Sequence, residues 1–200
     1  MSSTNSEKTR RMVVLSILSA LVIVLQLVST LVKIAPFSLT FTLVPVVIGG
    51  ALYGVRGGAW LGGVFGVIVL ILCMVGADSG GAILWNASPL LTAALCVVKG
   101  VAAGAAAALA YKAVAPRNSL GGVICAAVVS PVVNTGIFVL AVSTLFQPIL
   151  ASWASNEGVD VVNYILFFIV GTNFLVELAF NLVLSSIAER LIAYRRKGIA

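Results

Sequence analysis

Residues 39–68 read LTFTLVPVVIGGALYGVRGGAWLGGVFGVI, two apolar runs separated by a Gly-rich turn that carries Arg56. The second run approaches the length that a helix needs to cross a bilayer, whereas the first, at about residues 39–53, is short for a full crossing. The turn at residues 54–58 leaves room only for a tight reversal. The stretch therefore predicts two membrane helices of unequal length joined by a tight turn.

The rest of the chain has a similar composition. Hydrophobic residues make up 61% of its 200 residues and charged residues only 9%, against roughly 25% charged residues in a soluble domain. Open sheet edges cannot be satisfied in hydrocarbon, so helices must span the membrane. We predict an all-α integral membrane protein with one bundle of six transmembrane helices, at about residues 12–32, 39–53, 59–75, 90–111, 120–146 and 164–193. Residues 1–11 and 194–200 are predicted to be tails around this domain at residues 12–193.

The basic residues separate the two sides of the bundle. The side opposite to most of them holds Lys33 together with Asp78, Glu157 and Asp160. The positive-inside rule makes the more basic side cytoplasmic, and it predicts a multi-pass protein with both termini in the cytoplasm. Because these cations are spread over short loops and termini, they favour topology control over binding of nucleic acid. Ten of the twelve Lys and Arg residues fall on the basic side: Lys8, Arg10, Arg11, Arg56, Lys112, Arg117, Arg190, Arg195, Arg196 and Lys197.

A few polar residues fall inside the predicted membrane helices. Lys99 is roughly 13 Å from the outer end of its helix, where an unpaired charge costs at least about 2.5–3.5 kcal/mol. It must face a partner, a wet cavity or an anionic ligand, unless the helix begins later and Lys99 snorkels outward. Asn173, Glu177 and Asn181 are spaced by four and share one helical face. They either bond to neighbouring helices or line a ligand cavity, and Glu177 can also pair with Lys99.

Three further residues are predicted to contact a ligand. Trp85 and Asn86 lie where the chain re-enters the membrane, and an aromatic ring beside an amide suits a flat or polar small molecule. Trp85 fits an interfacial aromatic belt equally well. Asn134 adds an amide at mid-membrane depth.

No metal site or cofactor is predicted. The chain contains no His, which removes the commonest metal ligand and general base. Cys73, Cys96 and Cys125 lie in apolar runs without CxxC spacing and are interpreted as small buried residues. The lack of His and of paired carboxylates within the membrane also argues against an enzyme.

Beyond residues 39–68, the chain carries KGVAAG at 99–104, PVVNTG at 131–136 and NLVLSSIAERL at 181–191. With these stretches in this order, the chain resembles the substrate-binding S-components of energy-coupling factor (ECF) transporters over essentially its whole length. The resemblance implies a six-helix, S-component-like fold in a bacterial cell membrane. It implies that the protein binds a vitamin or similar micronutrient from outside. It also implies docking onto a membrane coupling subunit held by two cytoplasmic ATPases, toppling in the membrane and release of substrate inside.

The resemblance also suggests which residues act. The family's site lies in the outer half, and its docking surface includes an AxxxA-type face on helix 1. The matching docking positions are Ser16 and Ala20, with Ser in place of the first Ala. No GxxxxGK[ST] sequence occurs, so ATP hydrolysis is expected on another chain. Asn181 lies deeper and is expected to be structural, and substrate contacts are carried over to Trp85, Asn86, Lys99, Asn134, Asn173 and Glu177.

The substrate and one alternative mode of transport stay open at this point. Lys99 suits a carboxylate or phosphate, as in pantothenate, whereas Trp85 and the amides suit a ring such as that of riboflavin. A stand-alone secondary transporter is the main alternative, in which Glu177 would serve a coupling ion. An intramembrane enzyme acting on lipid is disfavoured for the reasons given above.

Overall fold

Apolar helices form nearly the whole molecule. The computed structural model describes the backbone of residues 2–30, 33–34, 37–38 and 42–197; side chains are described from residue 6 to 190, except at 31–41, 172–173, 185–186 and 188. β1 and β2 pair antiparallel, with Lys33 opposite Ser38. The elements in chain order are α1 Ser2–Ser29, β1 Lys33–Ile34, β2 Phe37–Ser38, α2 Leu43–Met74, α3 Ser79–Ala87, α4 Pro89–Val114, α5 Ser119–Leu145, α6 Gln147–Asn156, α7 Val161–Asn163, a π-helix Tyr164–Phe174 and α8 Leu175–Lys197.

Five described segments are long and apolar enough to cross a membrane. Large apolar side chains such as Leu90, Leu140 and Val183 stay exposed along them, as expected where the surrounding solvent is lipid. The predicted all-α membrane fold is confirmed. The five segments are Ser6–Ser29, Leu43–Met74, Pro89–Val114, Ser119–Leu145 and Val161–Leu184.

The long helix α2 is folded at Gly54. This residue has φ 67° and ψ −162°, a conformation that glycine reaches without steric cost. The two arms touch, since a Cβ added at Gly57 would lie 2.8 Å from the main-chain oxygen of Gly49. The first arm, residues 43–53, is about 16 Å long, too short to cross a bilayer. The predicted second and third helices are therefore the two arms of α2.

Glycine brings α2 and α4 into backbone contact. A Cβ added at Gly62 would lie 2.0 Å from the carbonyl oxygen of Gly100, and one at Gly58 would lie 2.2 Å from that of Gly104. One turn further along, a Cβ at Gly66 would lie 2.5 Å from the oxygen of Cys96. Small residues at spacing four permit this approach, and they fix α4 against the second arm of α2.

The buried side chains form two apolar clusters. The first joins α1, α2, α4 and α5 and includes Val22, Phe65 and Val123. The second contains residues of α3, α4, α5, α6 and the π-helix, and it is centred on Trp153 and Tyr164. The candidate site lies between these clusters.

Several segments differ from the prediction. Residues 2–11, expected as a tail, continue α1, and residues 194–197 continue α8; residues 198–200 lie outside the described chain. The outer connections 76–89 and 147–163 contain α3, α6 and α7. Their Gly, Ser and Asn content suggested loops, but the short helices bury Leu84 and Leu150. Tertiary burial outweighs weak local propensity here.

The π-helix at Tyr164–Phe174 was not predicted. Tyr164 stacks on Phe168 with ring centroids 5.1 Å apart. A π-helix bonds residue i to i+5 and is rare, so an apolar run gives no periodic signal for it.

Candidate functional site

A cavity opens at the end of the bundle where α2 connects to α3 and α4. Its volume counted out to the mouth is about 700 Å³, of which about 60 Å³ is wide enough to hold water. Sites for drug-sized ligands usually enclose about 300–1,000 Å³, so a vitamin must push side chains aside to enter. The lining residues are Gln26, Phe65, Val69, Cys73, Asp78, Gly81, Leu84, Thr92, Leu95, Cys96, Lys99, Asn134, Thr135, Phe138 and Ile169.

Lys99 supplies a positive charge to the cavity wall. It is half-buried on α4, and its Nζ lies 5.2 Å from the centroid of the Phe138 ring on α5. A ring quadrupole attracts an ammonium but does not neutralise it. Lys99 therefore faces the wet cavity, which was one of its predicted environments, and its charge stays available to an anionic group.

Two thiols line the same wall. Cys73 and Cys96 are both buried, and both line the cavity. They are buried as predicted, but they also belong to the cavity surface. Both Lys99 and Asp78 act on them electrostatically, so both charges lie near this part of the wall.

Asn134 and Thr92 offer polar atoms that have no described partner. Asn134 is 5% exposed and Thr92 is 1% exposed, and both line the cavity. Asn134 Oδ1 and Thr92 Oγ1 accept or donate no hydrogen bond within the described part of the chain. Buried polar atoms are nearly always hydrogen-bonded, so these two atoms are suited to bind a polar ligand.

Glu177 is not part of the cavity surface. It is 1% exposed and lies within electrostatic range of Lys99. Among the described residues neither of its carboxylate oxygens has a hydrogen-bond partner. The direct ion pair with Lys99 that the sequence allowed is therefore not formed.

The rest of the predicted stripe lies deeper or outside the described side chains. Asn181 is buried, and its Nδ2 donates to the main-chain oxygen of Glu177 at 2.8 Å. This contact fits the structural role expected of Asn181. Asn173 lies in the π-helix, and its side chain is outside the described set.

Trp85 and Asn86 lie apart from the cavity. Trp85 is half-buried against the first apolar cluster, and Asn86 is exposed. Neither belongs to the cavity wall. The cause is α3: a loop could turn both side chains inward, whereas the helix presents Gly81 and Leu84 to the cavity instead.

Helical spacing was the signal that could have found more of the lining. Thr92, Cys96 and Lys99 follow one another at spacings of four and three along α4, and Asn134 and Phe138 are four apart on α5. Thr92 and Cys96 lie on the same face of α4 as Lys99, and Phe138 lies on the same face of α5 as Asn134, so these residues could have been predicted from Lys99 and Asn134. Helical spacing could not have identified Asp78, which lies in the connection before α3, or Gln26, which lies on α1.

The end of the bundle away from the cavity collects basic residues. Arg11 lies 5.5 Å from the centroid of the Tyr53 ring, next to the fold at Gly54. Gly54 and Lys112 line the same surface groove. Arg11 of α1 and Lys112 of α4 thus lie at the same end of the bundle, beside the fold of α2.

A surface groove on α1 contains the two predicted docking positions. Ser16 and Ala20 are exposed in it. Trp60 of α2 forms the facing wall, and its Nε1 donates to Ser19 Oγ at 3.3 Å. Apart from these two Ser residues, the groove is lined by apolar side chains.

Comparison with known proteins adds one match. The family model described as ECF transporter, substrate-specific component, matches residues 10–188. No curated protein and no solved structure matches the chain. In the described part of the chain, no group of three or more His, Cys, Asp or Glu side chains could hold a metal ion.

Proposed function

Since the chain belongs to the substrate-specific components of ECF transporters, we propose that it captures a water-soluble vitamin or vitamin precursor from outside the cell and delivers it inward. Delivery requires toppling on a membrane coupling subunit that two cytoplasmic ATPases drive. Pantothenate and riboflavin-like compounds are the first substrates to test. ATP hydrolysis takes place on the partner chains.

The cavity beside Lys99 is the observation that carries this proposal. A transport subunit needs a site that water can reach from one side and that offers polar contacts inside an apolar bundle. The cavity brings together an ammonium, an amide and a hydroxyl from α4 and α5. Of the predicted substrate contacts, Lys99 and Asn134 are the strongest. Trp85, Asn86 and Glu177 contribute only if substrate binding moves their helices, and Asn173 stays a predicted contact.

The distribution of charge supports the proposed orientation. The basic end of the bundle, at Arg11 and Lys112, lies away from the end at which Asp78 lines the cavity. Basic residues favour the cytoplasmic side, so the mouth faces outward in the bacterial cell membrane and both termini lie inside. This orientation lets the cavity collect substrate from the exterior.

The groove on α1 supports the proposed docking face. Ser16 and Ala20 are small and exposed, so a partner helix can approach the α1 backbone closely. Their position on the outside of the bundle leaves the cavity untouched by docking. Substrate binding and coupling are thus served by separate surfaces.

The first test is native mass spectrometry of the detergent-purified protein, followed by denaturing extraction. A vitamin bound at one per chain would support the proposal and identify the substrate. A protein that carries no small molecule, and that no member of a vitamin panel stabilises against heat, would contradict it.

Uptake into reconstituted vesicles separates this function from a stand-alone secondary transporter. Vesicles with the protein alone are compared with vesicles that also hold the coupling subunit and both ATPases. We expect uptake only in the second set and only with ATP. Uptake by the protein alone, driven by a proton or sodium gradient, would instead support the secondary transporter.

A further inference from the structure

The described residues of the cavity wall include two charged side chains, one of each sign. Among the described lining residues, Lys99 is the one cation and Asp78 is the one anion. Asp78 immediately precedes α3, and Lys99 is about ten residues into α4, roughly 15 Å from its start.

This arrangement matches a single negative charge on the ligand. A carboxylate that reaches Lys99 replaces water with a charge-assisted hydrogen bond to the ammonium. A phosphate ester carries about two charges at pH 7, and Lys99 balances only one of them. Among the described lining residues no further cation balances the second charge, and burying an unpaired charge is costly.

The unpartnered polar atoms add a second requirement. Asn134 Oδ1 is a buried acceptor that has no donor in the described part of the chain, and it belongs to the same cavity wall as Lys99. A ligand hydroxyl or N–H can supply that donor. Since a buried acceptor left without a partner costs about 1–3 kcal/mol, the cavity favours ligands that provide one.

We propose that the cavity is selective for small monocarboxylates that also carry a hydroxyl or N–H donor, with the carboxylate on Lys99 and the donor on Asn134. This selectivity rests on the proposed function and deepens it. It excludes phosphorylated, cationic and uncharged compounds as preferred substrates. The Phe138 ring lies beside this ammonium, with its centroid 5.2 Å from Lys99 Nζ.

Matched ligand pairs test the charge requirement on the full-length protein in detergent. Isothermal titration compares pantothenate with panthenol and biotin with biotinamide. Phosphopantothenate, which adds a phosphate ester to the carboxylate, represents the polyanionic compounds, and riboflavin and thiamine represent the neutral and cationic ones. We expect the bound carboxylate to exceed its uncharged analogue and its phosphorylated form in affinity by about tenfold or more.

Substitutions assign the selectivity to the two charged residues. Lys99→Met keeps the length of the side chain and is expected to remove the preference for the carboxylate, whereas Lys99→Arg keeps the preference. Asp78→Asn is expected to raise the affinity for phosphopantothenate. Lys112→Met is the matched control, because it removes one charge from the exposed inner end of the same helix, and it leaves every affinity unchanged.

The outcomes separate the selectivity from the function itself. Three outcomes would overturn the monocarboxylate selectivity. They are tighter binding of an uncharged or cationic compound, failure of all the carboxylates to bind, and an unchanged preference in Lys99→Met. If such a compound is still taken up with ATP and the coupling subunits, the transport function stands. If nothing binds and nothing is taken up, the transport function falls as well.

Discussion

The contact between Gly62 and Gly100 gives the sharpest test of the fold. A methyl group at Gly62 would lie 2.0 Å from the carbonyl oxygen of Gly100 and 2.7 Å from its carbonyl carbon. Ordinary contact begins at 3.4 Å, so α2 and α4 must separate by about 1.4 Å to admit it. The obstacle is backbone, which no change of rotamer can move.

The expected cost follows from this geometry. Overpacking a buried contact costs about 1–3 kcal/mol, and we expect Gly62→Ala to fall near the upper end because the neighbouring Gly58 and Gly66 contacts loosen with it. The loss outweighs the gain of up to about 1 kcal/mol in helix propensity on replacing Gly by Ala. Since Lys99 and Cys96 lie on the displaced helix, ligand affinity should fall too.

Gly63→Ala is the matched control. At this position the nearest atom to an added Cβ is Val101 Cγ2 at 3.5 Å, an ordinary contact. Both variants gain the same methyl group and the same helix propensity, one residue apart on one helix. Their difference therefore isolates the clash with α4.

The free energy of unfolding can be measured by titrating the detergent-solubilised protein with sodium dodecyl sulfate and following tryptophan fluorescence. We expect Gly62→Ala to unfold more easily by about 2–3 kcal/mol and Gly63→Ala to be as stable as the parent or up to about 1 kcal/mol more stable. Equal stability of the two variants would refute the backbone contact between α2 and α4.

Three further predictions concern buried polar groups and docking. Glu177→Gln keeps the shape of a buried side chain that has no described partner and removes the burial cost of a charge, so the midpoint of thermal unfolding should stay equal or rise; a fall would show that the charge is needed. Thr42→Val removes the hydroxyl that donates to Gln26 Oε1 at 2.7 Å and leaves that oxygen without its donor, at a cost of about 1–3 kcal/mol. The control is Thr30→Val at a half-buried position, where the hydroxyl donates only to the main-chain oxygen of Leu27 one turn earlier; equal unfolding midpoints would contradict the prediction. Ser16→Leu should fill the groove on α1 and abolish ATP-dependent uptake at unchanged ligand affinity, while Ser16→Ala should keep uptake; full uptake by Ser16→Leu would exclude this docking face.

Of the residues predicted to share a site, Lys99 and Asn134 line the cavity, whereas Trp85 and Asn86 do not. Lys99 and Asn134 were found because polar side chains deep in apolar runs stand out in any sequence. Trp85 and Asn86 were assigned to a loop, and α3 turned them away from the cavity. Cys73 and Cys96 were interpreted as buried apolar residues, which overlooked their exposure to the cavity between the helices.

The sequence by itself determined that the protein lies in lipid and that its fold is all-helical. Composition and run length require lipid around apolar helices, and Gly54 beside a short run requires a tight turn; these are local properties of the chain, so they can be read without coordinates. Only the tertiary structure decided which polar groups share a cavity. Gln26, Asp78, Lys99 and Asn134 come from distant parts of the chain, and their meeting depends on how closely glycine lets α2 and α4 approach. Such distances result from packing the whole bundle, and no single segment encodes them.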